Sequence, residues 1–130
     1  MLIVIDTNIL VSAFWAKNSN PARILELVLA REIKPCFSNQ MMDEYKDVML
    51  RPHFGFHADE VEAVLDTIRL TGYSVVPAPQ NIPFTDETDR KFYEVARFCC
   101  AKLITGNKKH FPDAPGILTP AEFLTQYNAV

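Results

Sequence analysis

The sequence predicts an α/β domain in which helices cover both faces of a central, mostly parallel sheet of four to five strands. Short apolar runs bounded by turn residues alternate with longer segments whose apolar residues recur at helical spacing, a pattern typical of this class. The first run, Leu2 to Ile5, is apolar throughout, as expected for a strand buried on both faces. No linker or composition shift interrupts the chain, so residues 1–130 are predicted to form a single three-layer α/β/α domain.

The first half of the chain carries clear start and stop signals for its elements. Asn20 followed by Pro21 is predicted to cap a helix, and Ser38 is predicted to cap the next one, which ends before Pro52. The predicted elements after the first strand are a helix over 6–16, a helix over 21–31, a strand over 33–37 and a helix over 39–50.

The second half continues the alternation. Gly72 stands where a C-terminal glycine cap is expected, the three prolines within 77–83 indicate a loop, and Gly106 ends a strand. The predicted elements are a helix over 58–71, strands over 73–76, 102–105 and 117–118, and helices over 88–101 and 120–127.

The composition excludes several classes of protein. A formal net charge of -3 provides no overall attraction for a polyanion, so contact with nucleic acid requires a local basic patch or bridging metal ions. Three cysteines, two of them adjacent, form neither a disulfide framework nor a metal-binding spacing, which indicates a reducing cytoplasm. Asp6 interrupts the first apolar run too early for a signal peptide, and no run reaches the roughly 18 apolar residues of a membrane span.

Acidic and amide side chains are predicted to gather at one edge of the sheet. Asp6 ends the first strand, and Asn107 lies just past the fourth. Asp86 and Asp89 begin the helix that leads into the fourth strand, and Glu44 lies within the helix that follows the second. Because right-handed crossovers bring the carboxyl ends of all parallel strands to one edge, these residues can converge there.

Each of these residues also has a purely structural interpretation. Asp6 is a favoured helix N-cap, and Asp86 and Asp89 suit the positive end of a helix dipole. Glu44 fits a solvated helix face, and Asn107 fits a turn. Several carboxylates in one cleft repel one another, however, unless a cation lies among them. The set therefore favours a site for Mg²⁺ or Mn²⁺, holding one or two ions through oxygen ligands.

Five short motifs follow one another in a defined order. They are Asp6-Thr7-Asn8 after the first strand, Glu44 in MMDEYKDVML, Asp89 in DRKFYEVA, Thr105-Gly106-Asn107 in LITGNKKHF, and TPAEFL over 119–124. Together they resemble the PIN domain family, and more narrowly the VapC-like toxin ribonucleases. The resemblance implies a PIN-like fold, metal-dependent hydrolysis of RNA phosphodiester bonds by in-line attack of water, pairing with a small antitoxin protein, and a homodimer.

The resemblance also implies a role for each acidic position. Asp6 and Asp89 would bind the principal ion, and Glu44 would bind or orient a second ion or its water. Asn107 stands where the family carries a fourth acid, so it is expected to be a weak ligand or a hydrogen-bond donor to phosphate. Asp86 is near enough to Asp89 in sequence to substitute as a ligand.

Polar residues beside these acids are candidates for substrate contact. The predicted substrate-binding residues are Thr7, Asn8, Arg90, Thr105, Lys108 and Lys109. The basic ones would neutralise phosphates, although an ordinary solvated surface run is the alternative, and Asn8 could equally be a local cap. Since bases are read most readily in unpaired segments, single-stranded RNA is the expected substrate.

A non-enzymatic alternative follows from Asn107. A domain of this fold with one acid missing could bind RNA or a protein partner and cleave weakly or not at all.

Overall fold

Five parallel strands form the centre of the molecule in this computed structural model, which describes residues 1–129. The strands are β1 (Leu2–Ile5), β2 (Lys34–Phe37), β3 (Tyr73–Ser74), β4 (Lys102–Ile104) and β5 (Ile117–Leu118). Their order is β3-β2-β1-β4-β5, and every neighbouring pair is parallel. The predicted strand number and orientation are confirmed, and the central position of β1 explains its uniformly apolar sequence.

Helices flank the sheet and complete the three-layer α/β/α arrangement that the sequence predicts. They are α1 (Thr7–Trp15), α2 (Asn20–Leu29), α3 (Asn39–Met49), α4 (Ala58–Thr71), α5 (Arg90–Cys99) and α6 (Pro120–Asn128). Three single-turn 3₁₀ helices cover Pro52–Phe54, Glu87–Asp89 and Lys108–His110. The predicted helix over 88–101 is therefore an α-helix from Arg90 preceded by a 3₁₀ turn, which ends at Asp89.

Helix caps explain most of the observed boundaries. Ser38 accepts a hydrogen bond from the backbone N–H of Met41, as predicted, and Thr119 forms a complete capping box with Glu122. The predicted cap of α2 is wrong by one residue. Ser19, and not Asn20, accepts from the N–H of Ala22, which places Asn20 inside the first turn.

Gly72 ends α4 for a different reason from the one predicted. Its backbone is extended (φ -95°, ψ -173°), so no left-handed glycine cap is present. A Cβ at this position would collide with the carbonyl oxygen of Pro35 in β2, because the chain begins to pair beside β2 at the next residue. The glycine is thus required by close packing. The strand that follows is also shorter than predicted, since pairing in β3 covers only Tyr73 and Ser74.

None of the helices within residues 1–129 is both long enough and apolar enough to cross a membrane.

Candidate active site

Asp6 lies at the centre of the carboxyl edge of the sheet. Because β1 and β4 pair in register, with Ile5 opposite Ile104, the residues that follow them meet at this edge. The backbone N–H of Asp6 donates to the carbonyl of Ile104 at 3.0 Å, and the Thr105 hydroxyl donates to Oδ2 of Asp6 at 2.7 Å. Asp6 occupies the N-cap position of α1, but its side chain makes no capping hydrogen bond. Its carboxylate is instead held toward the edge.

The ionised form of Asp6 is disfavoured in the folded protein. Burial raises the pKa of its carboxyl group to about 6, and the charges of Asp89 and Glu44 add to the rise. The hydrogen bond from Thr105 acts in the opposite direction. The three acids predicted to converge are thus close enough to repel one another, and a cation among them would relieve that repulsion.

Glu44 enters the site from α3, which is fixed to β1 by the next residue. Tyr45 is fully buried and its hydroxyl donates a hydrogen bond to the carbonyl of Ile5, immediately before Asp6. Burial raises the pKa of Tyr45 well above its ordinary value, with Asp6 and Glu44 adding to the effect, so the hydroxyl stays protonated as a donor. The Thr7 hydroxyl donates to Oε2 of Glu44, while Lys91 Nζ lies 2.8 Å from Oε1. Both oxygens of Glu44 are therefore engaged within the protein.

Asp89 approaches from the start of α5. Its side chain is only 14% exposed, and its buried Oδ2 accepts no well-aligned hydrogen bond, although Nδ1 of His110 lies 3.3 Å away. Burial raises the pKa of Asp89, followed by the charge of Asp86. Asp86 itself is exposed, and its Oδ1 accepts from the N–H and hydroxyl of Thr88, an arrangement that caps the 3₁₀ turn. The structure thus gives Asp89 an unsatisfied ligand atom and gives Asp86 a local partner.

The turn after β4 completes the edge. Thr105 is fully buried, and its hydroxyl also accepts from the N–H of Asn107 at 3.0 Å, so it suits positioning of Asp6 better than direct contact with a substrate. The Asn8 amide packs against Gly106, where a Cβ would lie 3.7 Å from Nδ2. Oδ1 of Asn8 is buried without a hydrogen-bond partner, and Asn107 is exposed. A second unsatisfied oxygen therefore lies beside Gly106, in the turn that also carries Asn107.

The basic residues that the sequence predicts to contact substrate differ in whether the protein already engages their charge. Arg90 points into the preceding loop, where its guanidinium donates to the carbonyls of Gln80 and Ile82 and pairs with Glu87. Lys108 pairs with Glu122 at 3.0 Å. His110 lies beside Asp89, and both it and the adjacent Lys109 are exposed, so this turn carries the available basic surface.

The donors at this edge suit a hard divalent cation. They are oxygens, and they include the buried, unpartnered Oδ2 of Asp89 and Oδ1 of Asn8. Within residues 1–129, however, no three or more His, Cys, Asp or Glu side chains are grouped so that they could ligate one ion. Mg²⁺ typically uses one or two protein carboxylates and keeps several waters. Asp6 and Asp89 with the neighbouring amide oxygens fit that more open mode of binding.

Comparisons with known proteins agree with this architecture. The family model of the PIN domain matches residues 2–109. The chain belongs to the PIN domain family. An uncharacterized protein of Methanocaldococcus jannaschii, MJ1680, is 32% identical over 110 residues, which cover 82% of this chain and 70% of that protein. No solved structure matches the chain. PIN domains are generally nucleases, which typically use divalent metal ions.

The sequence does not predict the contacts that two residues make at this edge. The position of Tyr45 on the buried face of α3 was readable from the apolar spacing around it, but its bond to Ile5 depends on the tertiary structure. Lys91 follows Asp89 and Arg90 in a charged run, and only the fold shows that it turns toward Glu44 while Arg90 turns away.

Proposed function

We propose that this PIN domain is an Mg²⁺- or Mn²⁺-dependent endoribonuclease that acts on single-stranded RNA. The observation that carries the proposal is the meeting of Asp6, Glu44 and Asp89 at the carboxyl edge of the sheet, where their charges repel one another and where Oδ2 of Asp89 and Oδ1 of Asn8 are buried without a hydrogen-bond partner. Such an arrangement costs stability without a cation, as expected of a site built for one.

In this proposal Asp6 and Asp89 hold the ion, and Thr105 orients the carboxylate of Asp6. The bound ion would lower the pKa of an attacking water and polarise the scissile phosphoryl group. Asn107 donates to a phosphate oxygen or completes the ligand set. Lys109, which is exposed in the turn after β4 beside His110, contributes positive charge along the RNA backbone, so binding should weaken as the salt concentration rises.

The proposed biological role is that of a VapC-like toxin. It is supported by the motifs that resemble this subfamily, including TPAEFL at the start of α6. In that role the chain would pair with a small antitoxin protein, form a homodimer and act in the cytoplasm. Growth arrest on induction of the chain, relieved by Asp6→Asn, is the expected result in cells.

A second function is favoured by one specific observation. Asn107 replaces an acid, and the ion pair with Lys91 occupies Glu44. A domain with so few free carboxylates could bind RNA or a partner protein without cleaving RNA.

Cleavage of an end-labelled single-stranded RNA separates the two candidates. The wild-type protein should cleave with Mn²⁺ or Mg²⁺ and should be inactive in EDTA, whereas Asp6→Asn should abolish cleavage and still fold. Asp47→Asn is a matched control, because Asp47 is an exposed residue of α3 paired with Arg51. Metal-independent cleavage, or equal cleavage by Asp6→Asn, would contradict the nuclease proposal, and RNA binding without cleavage would support the second candidate.

A further inference from the structure

A lysine ammonium is paired with one of the acids at this edge. Nζ of Lys91 is 2.8 Å from Oε1 of Glu44, and it also donates to the carbonyl of Thr88 within the preceding 3₁₀ turn. Lys91 lies in the first turn of α5, two residues after Asp89. The ammonium is therefore held from two sides in the space between α3 and α5.

This ion pair differs from the others in the described residues. The side chains of Lys91 and Glu44 are 16% and 24% exposed, whereas each of the other pairs includes a partner at least 45% exposed. Exposed pairs contribute little because water and salt screen them, but a pair withdrawn from water fixes its charges in place. Loss of one partner would leave the other charge buried and uncompensated.

Glu44 is the residue that the family resemblance assigns to a second ion or its water. Oε1 of Glu44 contacts Lys91 and Oε2 accepts from Thr7, so neither oxygen is free. Asn107, which stands where the family carries a fourth acid, is neutral. Asp6 and Asp89, by contrast, have no cationic side chain other than His110 within ion-pair distance in residues 1–129.

We propose that the ammonium of Lys91 takes the place of a second metal ion, so that the site binds a single divalent cation at Asp6 and Asp89. The inference rests on the proposed function and specifies its metal content. Glu44 acts as the counter-ion of Lys91, and Lys91 is a positioning residue that supplies a fixed positive charge at the second cation position.

Calorimetric titration of the metal-free, full-length protein with Mn²⁺ tests this inference without measuring cleavage. The wild-type protein should bind one ion per chain. Lys91→Met keeps much of the side-chain volume but removes the charge and frees Glu44, so it should bind two. Lys91→Arg restores a cation and should bind one. Lys46→Met is the matched control, because Lys46 pairs with Glu62 on the surface, and it should also bind one.

A second variant keeps the test decisive if Lys91→Met does not fold. Lys91→Gln also removes the charge but keeps an amide that can donate to Glu44, so it should likewise bind two Mn²⁺ ions. Two ions in the wild-type protein, or one ion in a folded Lys91→Met or Lys91→Gln protein, would each overturn the inference while leaving the nuclease proposal intact. No Mn²⁺ binding by the wild-type protein would overturn both.

Discussion

Asp6 and Glu44 are held by the buried core of the sheet, whereas Asp89 is held by a segment that crosses its edge. Asp6 follows β1, in which Ile3 and Val4 are completely buried. Helix α3 is joined to β1 through the hydrogen bond of the buried Tyr45 hydroxyl. On the other side, the chain before Asp89 has no regular secondary structure from 75 to 84. We call these the core side and the loop side of the site.

The loop side depends on a few polar and aromatic contacts. Arg90 donates to the carbonyls of Gln80 and Ile82, and the N–H of Gln80 donates to Glu94 at 2.7 Å. Phe84 packs edge-on against Tyr93, with 5.5 Å between the ring centroids. Segments with few buried contacts open locally at a lower free energy than the core. The core side thus provides fixed geometry, and the loop side is the part of the site that is expected to open locally.

Asp6→Asn should produce the largest change in the free energy of unfolding. The core side holds the Asp6 carboxyl group in a buried position, where its ionised form destabilises the folded protein. The pKa of Asp6 is about 6 in the folded protein, whereas an aspartate in water has a pKa of 3.8, so the folded state binds the proton more tightly. Its contribution to stability is present below about pH 4 and is lost as the pH rises through about 6. From about pH 4 to pH 7 the wild-type protein should lose about 2–3 kcal/mol that the variant does not lose.

Urea denaturation of both proteins in EDTA, at several pH values across that range, measures this difference directly. Asp47→Asn should retain the wild-type profile, since Asp47 is exposed. Parallel pH profiles for wild type and Asp6→Asn would show that the core side carries no such cost.

Tyr45→Phe should have the next largest effect on the free energy of unfolding. It removes the hydroxyl that donates to Ile5 and leaves a buried carbonyl without that donor, so the free energy of unfolding should fall by about 1–3 kcal/mol. Tyr73→Phe is the matched control, because Tyr73 is 49% exposed at the edge strand. Chemical denaturation gives both values, and equal stability of the two variants would mean that the bond does not secure α3 to β1.

The same division between core and loop explains what the sequence could predict. The apolar run of β1, the cap at Ser38 and the rule that parallel strands end together suffice to bring Asp6 and Thr105 to one edge. Those signals are local or topological, and the structure confirms the fold they predict. Gly72 was misinterpreted because its constraint comes from Pro35, a residue distant in sequence.

Long charged side chains were the hardest to predict. Arg90 and Lys91 are adjacent in one charged run of the sequence. The helix directs one toward the loop carbonyls and the other toward Glu44. Their partners lie on separate segments, so no local pattern distinguishes them. Substrate contact by Arg90, and a ligand role for Asp86, stay predictions.

Arg90→Gln should produce the smallest change in the free energy of unfolding of the whole domain. Its clear effect should be on the local stability of the loop before Asp89. The variant loses the donors that hold Gln80 and Ile82, so the loop before Asp89 should open more often. Limited proteolysis should therefore cut within 77–86 faster than in wild type, while the melting temperature falls only slightly. Opening of the loop should also misplace Asp89, and because a misplaced catalytic group slows the reaction, RNA cleavage should be slower.

Arg97→Gln is the matched control for this variant, since Arg97 lies exposed on the same helix. The result also decides between the two roles of Arg90. If the guanidinium contacts RNA, Arg90→Gln should weaken RNA binding and reduce its salt dependence, with no change in proteolysis. If it anchors the loop, proteolysis should accelerate in the absence of RNA. Faster cutting without RNA would therefore assign Arg90 to the loop side, whose mobility then governs where Asp89 lies relative to the fixed carboxylate of Asp6.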